Sequence, residues 1–420
     1  MVVTYKFEEY EWVKPQIPLV YKSPAIYVQG PESVSDVGKY IGHMGKKCFI
    51  IGGETALKLT EETIKSSLAG ADNATEVAGV DRGVQICTDA VNAKVLEAAT
   101  AAEADFVIGV GGGTVADIAR VVAGKLGQPL AMVGTVASMA GFTSALSVIY
   151  NDDTTFNRYD FFPEDTHAVI MDSRLICEGP VEYTINGMGD GLCIKWEMEI
   201  VERGKGLNLV GGHATITSLL IANECWNQLK QYGYQAVAAN KEKVLTPALE
   251  RIIETNTLMA GVGFESGALG GGHGIHDGLV GAGVIALHKT APAFRPHGQV
   301  ISYTTITQLI MEDRPPDLIM EIIAWADSVG LATTWDDLFG TGKEPDDEKL
   351  WEASKLSCGQ WKVGILFGAY PISPAKIYSA LKTTNALGHL YKEEIKPNMP
   401  AAVPGRVPAP EIEKIFSRFF

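Results

Sequence analysis

Paired cysteines and long apolar runs are both missing from this chain of 420 residues. Six cysteines are scattered along it: Cys48, Cys87, Cys177, Cys193, Cys225 and Cys358. Because no two of them form a CxxC pair, we expect free thiols in a reducing cytoplasm rather than disulfides or a cysteine–zinc site. No stretch approaches the ~20 apolar residues of a membrane span, and the charged, aromatic N-terminus is unlike a signal peptide. The sequence therefore predicts a cytoplasmic protein with no membrane partner.

Positive charge is also in short supply. The chain carries 35 Lys and Arg against 50 Asp and Glu, a net charge of −15. An acidic surface repels phosphate backbones, so we expect no nucleic acid partner. What the chain does have is 46% hydrophobic residues, enough for a large core, and 45 glycines, many of them clustered. The glycine clusters indicate places where the backbone approaches a ligand closely.

Two regions with different patterns divide the chain. Residues 25–150 alternate between short apolar strands and helical stretches, which is typical of a parallel sheet covered by helices; one helix is expected from Pro31 through Gly45. Long helical patterns dominate from about Pro180 onward. The sequence thus predicts an α/β domain over residues 1–179 and a helical domain over 180–420. A Pro-rich stretch and a short amphipathic helix, EIEKIFSRFF, form the expected C-terminal extension.

A glycine turn follows one predicted strand. Gly111, Gly112 and Gly113 stand after DFVIGV and before a helix that starts near Thr114. This order directs backbone N–H groups and a helix N-terminus at a diphosphate, with Asp117 one turn into the helix. The motif is neither GxGxxG nor a P-loop, and a tight turn without a ligand explains the glycines equally well.

Histidines and a carboxylate form the most unusual pattern. His273 and His276 are three residues apart in GGGHGIHDG, so they share a helix face; His297 follows in RPHGQV. Asp190, in NGMGDGL, is expected at the start of the first long helix. Two imidazoles and a carboxylate suit zinc or ferrous iron with open positions for substrate. A single histidine is more often structural, and the spacing alone leaves the metal site open.

Five blocks in this order carry a resemblance to a known family: GVGGGTVADIAR, GTVASMAGFTSALSVIY, NGMGDGL, GFESGALGGGHGIHDGL and HGQVISYTTITQL. The similarity that rests on them covers roughly residues 20–395. Over that range the chain resembles the glycerol dehydrogenase branch of the iron-containing alcohol dehydrogenase family. The resemblance implies a Rossmann-like dinucleotide-binding domain, an all-helical second domain, and an active site in the cleft between them. This is the architecture that the family shares with dehydroquinate synthase.

The resemblance also implies which residues bind what. The metal ligands would be Asp190, His273 and His297, with zinc usual in this branch and iron in its relatives. The diphosphate side of NAD or NADP would contact Gly113, Thr114 and Asp117. The nicotinamide side would be lined by Thr135, Ser138, Ser144, Leu146 and Tyr150. A homo-oligomer acting on a small alcohol, aldehyde or ketone is implied as well.

Departures from the family pattern concern the cofactor and the substrate. Thr114 stands where members usually carry lysine. Ala140 occupies the position of the aspartate that binds the substrate hydroxyls, and Met139 and Phe142 make the local wall more apolar. Since alanine cannot accept a hydrogen bond, we expect a substrate that is less hydroxylated or bulkier than glycerol.

Gly53 stands where the family carries an acidic residue that binds the adenosine ribose. Losing that carboxylate removes repulsion toward a 2′-phosphate, so we expect NADP(H) to be accepted, although no arginine adjoins Gly53 in sequence and Glu54 is next to it.

His276 has two candidate roles, a proton relay near the nicotinamide or support of the metal site by hydrogen bonding. Two other functions stay open. One is a dehydroquinate-synthase-like cyclase, a lyase that needs basic residues around a phosphate, for which only Arg295 argues. The other is a non-catalytic relative that binds nucleotide and metal.

Overall fold

A computed structural model describes residues 17–360, 362–363 and 370–398. The expected C-terminal amphipathic helix lies outside these residues. The described residues contain eight strands: β1 (Ile26–Gly30), β2 (Lys47–Gly52), β3 (Glu76–Arg82), β4 (Phe106–Gly111), β5 (Leu130–Gly134), β6 (Leu146–Tyr150), β7 (Phe156–Phe161) and β8 (Ala168–Asp172).

Six of the strands form one parallel sheet in the order β1-β8-β5-β4-β2-β3. Its central strands are buried along their whole length, as FVIGVG in β4, LAMVG in β5 and AVIMD in β8 show. Strands covered on both faces read as continuous apolar runs, which is why the sequence predicts this sheet well. The remaining strands, β6 and β7, form a separate antiparallel hairpin that the sequence analysis did not identify.

The helices of the α/β part are α1 (Val37–Ile41), α2 (Glu54–Gly70), α3 (Asp89–Ala101), α4 (Gly113–Leu126) and α5 (Ser173–Glu178). The single helix predicted from Pro31 to Gly45 was wrong. That segment is two 3₁₀ turns around the short α1; Gly42 ends α1, and Gly45 ends the second 3₁₀ turn. Gly38 is required for packing: a Cβ there would lie 2.1 Å from the Ser67 carbonyl oxygen of α2.

The helical part contains α6 (Val181–Arg203), α7 (Ile216–Lys241), α8 (Pro247–Glu254), α9 (Ala260–Gly267), α10 (Gly271–Gly281), α11 (His297–Met311), α12 (Pro316–Val329), α13 (Trp335–Phe339), α14 (Asp347–Cys358) and α15 (Pro374–Leu390). A π-helical turn, Thr255–Met259, joins α8 to α9. The last sheet strand ends at Asp172 and α6 starts at Val181. The exact division at Gly179-Pro180 into domains 1–179 and 180–420 stays a prediction.

Asp190 is not at the start of the first long helix, as the sequence suggested, but in the middle of α6. The helix begins nine residues earlier, at Val181, with Pro180 as its N-cap. All six cysteines are unpaired, and five are buried. Within the described residues, no helix has both the length and the apolar character that crossing a bilayer requires.

Candidate active site

A cavity of about 330 Å³ lies between the α/β part and the helical part. The start of α4, the segment after β5 and the β6–β7 hairpin line it on one side. On the other side it is lined by α6, α10 and the start of α11. It therefore lies at the carboxyl ends of the central strands, where parallel α/β sheets bind their ligands.

Asp190, His273 and His297 meet at this cavity. Oδ1 of Asp190 lies 3.7 Å from Nε2 of His273 and 3.5 Å from Nε2 of His297. One ligand atom from each residue falls within 4.8 Å of the other two. Two imidazoles and a carboxylate converging at this range match the donor set of a three-ligand catalytic metal site. The residues present therefore fit a divalent metal.

Two glycines allow the helices that carry these ligands to touch. A Cβ at Gly189 would lie 2.1 Å from the Gly298 carbonyl oxygen, and one at Gly298 would lie 1.9 Å from that of Asn186. Because each glycine adjoins a candidate ligand, backbone contact between α6 and α11 brings Asp190 and His297 together. These glycines were present in the quoted motifs, but their packing role depends on a contact between distant helices.

His273 is fixed by a residue that the sequence analysis missed. Glu197, fully buried in α6, accepts from the backbone N–H of His273 at 2.7 Å and lies 2.8 Å from its Nδ1. Burial opposes ionisation, but the adjacent imidazole lowers the pKa of Glu197 overall. Such a carboxylate orients a metal-binding histidine. The available signal was the spacing: Glu197 is seven residues, two helical turns, after Asp190.

His276 lines the cavity and contacts His297. Its Nε2 lies 3.2 Å from Nδ1 of His297, and its Nδ1 lies 3.2 Å from Oδ1 of Asp277. Burial lowers the pKa of His276 to about 4. A neutral ring therefore connects Asp277 to a candidate metal ligand.

Lys362 was also missed, because nothing near it in sequence suggests a site. Its side chain is 2% exposed, and its Nζ lies 2.7 Å from Oδ2 of Asp277. Tyr159 of the β6–β7 hairpin donates to Oδ1 of Asp277 at 3.1 Å. Burial disfavours both charges, but the pair holds the pKa of Asp277 below and that of Lys362 above its ordinary value. The cavity wall thus contains a buried, compensated ion pair.

The predicted cofactor residues fall into two sets. Six of them line the cavity: Gly113, Thr114, Asp117, Ser138, Leu146 and Tyr150. The others lie beside it. Gly53, Gly111, Gly112 and Thr135 are at the carboxyl ends of β2, β4 and β5, and Ser144 is buried next to the hairpin. Thr135 donates its N–H to the Gly111 carbonyl at 3.3 Å, which joins the glycine turn to the next strand.

The glycine turn has the conformation that the motif predicts. Gly111 has φ +150°, and a Cβ at Gly113 would lie 2.9 Å from the Met139 sulfur. Gly113 begins α4, whose first turn therefore faces the cavity with its N–H groups. Burial raises the pKa of Asp117 to about 7, although Arg120 lies 3.6 Å away and opposes the shift. The start of α4, where the sequence predicts the diphosphate, thus has backbone donors and a carboxyl group that is easily neutralised.

The expected substrate wall is only partly in place. Met139 and Ala140 line the cavity, and the Ala140 N–H donates to Oδ2 of Asp190 at 2.7 Å. Phe142 does not line it: the ring is fully buried in the core beside Gly134, so its place in the substrate pocket is corrected. The apolar wall opposite Ala140 comes instead from side chains of the helical part: Leu209, Phe264, Leu269, Leu287 and Phe294.

Arg295, the cation adjacent to His297, packs its guanidinium 4.5 Å from the ring centre of Phe339 and donates to the Phe294 carbonyl. It is therefore engaged by its own neighbours rather than placed on the cavity wall.

Comparison with known proteins gives consistent matches. The family model "Iron-containing alcohol dehydrogenase" matches residues 28–180. A glycerol dehydrogenase of Escherichia coli O6:H1 is 30% identical over 377 residues, which cover 89% of this chain and 99% of the relative. A glycolaldehyde reductase of Halobacterium salinarum is also 30% identical, over 376 residues and 99% of its length. The crystal structure of glycerol dehydrogenase from Schizosaccharomyces pombe superposes with a TM-score of 0.82 at 26% identity, covering 94% of this chain and 96% of that one.

Proposed function

The chain belongs to the glycerol dehydrogenase branch of the iron-containing alcohol dehydrogenase family, and from this premise we propose that it interconverts a sparsely hydroxylated alcohol with its aldehyde or ketone. The family is NAD-dependent and metal-containing, and the chain is a metal-dependent oxidoreductase of the alcohol dehydrogenase type. The observation that carries the proposal is Ala140, which lines the cavity next to Asp190 and faces an apolar wall.

The metal would be held by Asp190, His273 and His297. Three protein ligands of this chemistry leave a position open for substrate, which suits zinc, with iron as the alternative. When bound, the metal supplies Lewis-acid polarisation of a substrate oxygen. Asp190 contributes a negative charge that offsets the cation, and Glu197 holds His273 in one orientation. Phe264 and Leu269 exclude water from the side of the cavity where a substrate chain would lie.

The nicotinamide cofactor would lie along the carboxyl ends of β5, β4 and β2. Its diphosphate would take the first turn of α4 at Gly113 and Thr114, and its nicotinamide end would lie against Leu146 and Tyr150. When bound, the cofactor supplies the hydride acceptor or donor. Thr114 in place of the usual lysine leaves diphosphate binding to backbone N–H groups and one hydroxyl.

We extend the proposal to NADP(H). Gly52, the residue before Gly53, pairs in register with Arg82 at the end of the edge strand β3. No arginine adjoins Gly53 in sequence, but the neighbouring strand β3 places Arg82 beside Gly52. Its guanidinium makes a bidentate pair with Glu61, yet the side chain is 55% exposed and keeps further N–H groups for an anion. We assign Arg82 to the 2′-phosphate.

Two further expectations belong to the same proposal, a homo-oligomeric assembly and a cytoplasmic location. The cyclase alternative requires cations around a substrate phosphate. Lys362 is the one lysine on the cavity wall among the described residues, and Asp277 already compensates its charge. This arrangement favours the dehydrogenase.

The test is cofactor absorbance with purified protein. NADH and NADPH are supplied separately with glycolaldehyde, straight-chain aldehydes and ketones, and the oxidised cofactors with glycerol and simple alcohols. We expect turnover of a carbonyl compound with few hydroxyls, lost with a chelator and restored by Zn²⁺, and absent in Asp190→Ala. Glycerol oxidation faster than any simple alcohol would contradict the substrate assignment. Turnover with no net cofactor oxidation or reduction would favour the cyclase.

A further inference from the structure

The two candidate metal-binding histidines are oriented in different ways. His273 contacts a carboxylate directly: Oε2 of Glu197 lies 2.8 Å from its Nδ1. Among the described residues, the hydrogen-bond partner of Nδ1 of His297 is not a carboxylate but Nε2 of His276, at 3.2 Å. His297 is also the first residue of α11, and its side chain is 38% exposed, compared with 10% for His273. Packing alone therefore constrains His297 less than His273.

The chain of hydrogen bonds from His297 ends at Asp277. In a neutral His276 whose Nδ1 donates to Oδ1 of Asp277, Nε2 is an acceptor. It then accepts from Nδ1–H of His297, which leaves Nε2 of His297 with its lone pair, 3.5 Å from Oδ1 of Asp190. A single carboxylate thus sets the tautomers of two successive imidazoles, and the outer one presents a free nitrogen to the metal position.

Asp277 is itself fixed by two groups. Lys362 holds Oδ2 at 2.7 Å, and Tyr159 donates to Oδ1 at 3.1 Å. The ammonium of Lys362 also lies 3.4 Å from the Tyr159 hydroxyl and 4.6 Å from the centre of its ring. Since a lysine with 2% exposure is costly to bury uncompensated, this pairing ties the carboxylate to one place.

We propose that Asp277, anchored by Lys362 and Tyr159, is the carboxylate that positions the metal ligand His297 by acting through His276. These are positioning residues, and the inference rests on the proposed metal site at Asp190, His273 and His297. Tyr159 adds a consequence: it comes from β7 of the same hairpin whose β6 strand lines the nicotinamide side. Hydrogen bonds through Asp277 and His276 therefore connect the β6–β7 hairpin to His297 on the other side of the cleft.

The experiment uses Co²⁺ as the metal, because its visible absorption reports coordination geometry without turnover. The full chain is stripped of metal and titrated with Co²⁺ as wild type, Asp277→Asn and Lys362→Met. We expect both variants to bind Co²⁺ about 10–100-fold more weakly, with an altered spectrum at saturation. Lys362→Arg, which keeps the cation, should recover most of the affinity. Tyr159→Phe, which removes one hydrogen bond, should show a smaller loss in the same direction.

The matched control is Asp337→Asn, which breaks another aspartate–lysine pair of the helical part, that with Lys392. It should leave the Co²⁺ affinity and spectrum unchanged. A general effect on folding would weaken Co²⁺ binding equally in Asp277→Asn, Lys362→Met and the control Asp337→Asn. That result would overturn the proposal. So would Asp277→Asn and Lys362→Met with Co²⁺ affinities within twofold of wild type and the same spectrum.

Failure of the metal site itself has a different signature. If His273→Ala abolishes Co²⁺ binding while Asp277→Asn does not change it, only the positioning role is wrong. If the wild type gives no Co²⁺ spectrum, or His273→Ala leaves that spectrum unchanged, then both the proposed metal site and the positioning role are wrong.

Discussion

The backbone N–H of Ala140 donates a 2.7 Å hydrogen bond to Oδ2 of Asp190, so the proposed substrate wall contacts the proposed metal site. The backbone of Ala140 therefore contacts a candidate metal ligand, while its side chain lines the cavity. A carboxylate placed there would adjoin the metal position and offer acceptors to a polyol. This geometry makes Ala140 the most direct test of substrate class.

We predict that Ala140→Asp raises the ratio of glycerol turnover to simple-alcohol turnover by about tenfold or more, since one well-placed charged hydrogen bond contributes about 1.5–3 kcal/mol. Steady-state kcat/KM for both substrates provides the measurement. Ala140→Val adds bulk without an acceptor and should lower both rates without raising the ratio. An unchanged ratio in Ala140→Asp would show that polyol selection does not depend on this position.

The second prediction concerns Glu197. Glu197→Gln keeps the size of the side chain but replaces one carboxylate oxygen by a donor, which faces either the N–H or Nδ1 of His273. We expect metal affinity to fall by about 10–100-fold. A chelator competition assay on the purified protein measures it. Glu199→Gln is the control, because Glu199 lies on the same helix but pairs with Arg314; affinity there should stay within twofold of wild type.

The sequence predicted most of the sheet, since fully buried strands are continuous apolar runs. Through the family motifs it also selected Asp190, His273 and His297, which the structure brings together as candidate metal ligands. Other features are invisible along the chain because they arise from tertiary neighbours. Strand register pairs Arg82 with Gly52, the residue before Gly53, and Lys362 contacts Asp277 across 85 residues of sequence. Phe142 was misplaced for the same reason: an apolar residue beside a site is as readily core as wall.

The third prediction tests Arg82. Arg82→Ala should weaken NADPH binding by about tenfold or more and leave NADH binding within twofold, because only NADPH carries the 2′-phosphate. Fluorescence titration of each reduced cofactor gives the dissociation constants without turnover. Lys65→Ala is the matched control, since Lys65 is the other cation on Glu61, at 2.6 Å. Equal losses for NADH and NADPH would remove Arg82 from the 2′-phosphate site.

Asp117 leads to a fourth prediction, on cofactor binding. Burial raises its pKa to about 7, so the carboxyl group is largely neutral at pH 6 and ionised at pH 8.5. An anion beside the diphosphate region repels the cofactor, so NADH affinity should fall between these pH values. In Asp117→Asn the fall should be clearly smaller. Fluorescence titrations of wild type and variant at both pH values decide the question, and parallel pH profiles would exclude Asp117 as the cause.

The last prediction concerns stability and the buried carboxyl group of Glu265, whose neighbouring carboxyl group is that of Asp165. Glu265 of α9 accepts from the Ala145 N–H at 2.7 Å. Burial, reinforced by Asp165, raises its pKa from 4.5 to about 8, and Arg120 and Lys22 only partly oppose the shift. The folded state therefore binds more protons than the unfolded state between these values. The stability that this group contributes is present below about pH 4.5 and is lost as the pH rises toward 8.

Glu265→Gln keeps the acceptor oxygen for Ala145 but cannot ionise. We expect the unfolding free energy of the wild type to fall relative to this variant between pH 5 and 8, by at most about 1.4 kcal/mol per pH unit. Urea unfolding at three pH values measures the difference. Glu61→Gln is the control: the pKa of Glu61 is lowered to about 2, chiefly by its hydrogen bonds with Arg82, so its contribution is constant above pH 5. If wild type and Glu265→Gln have the same pH slope, folding does not raise the pKa of Glu265, and the residue is ionised in the folded protein across this pH range.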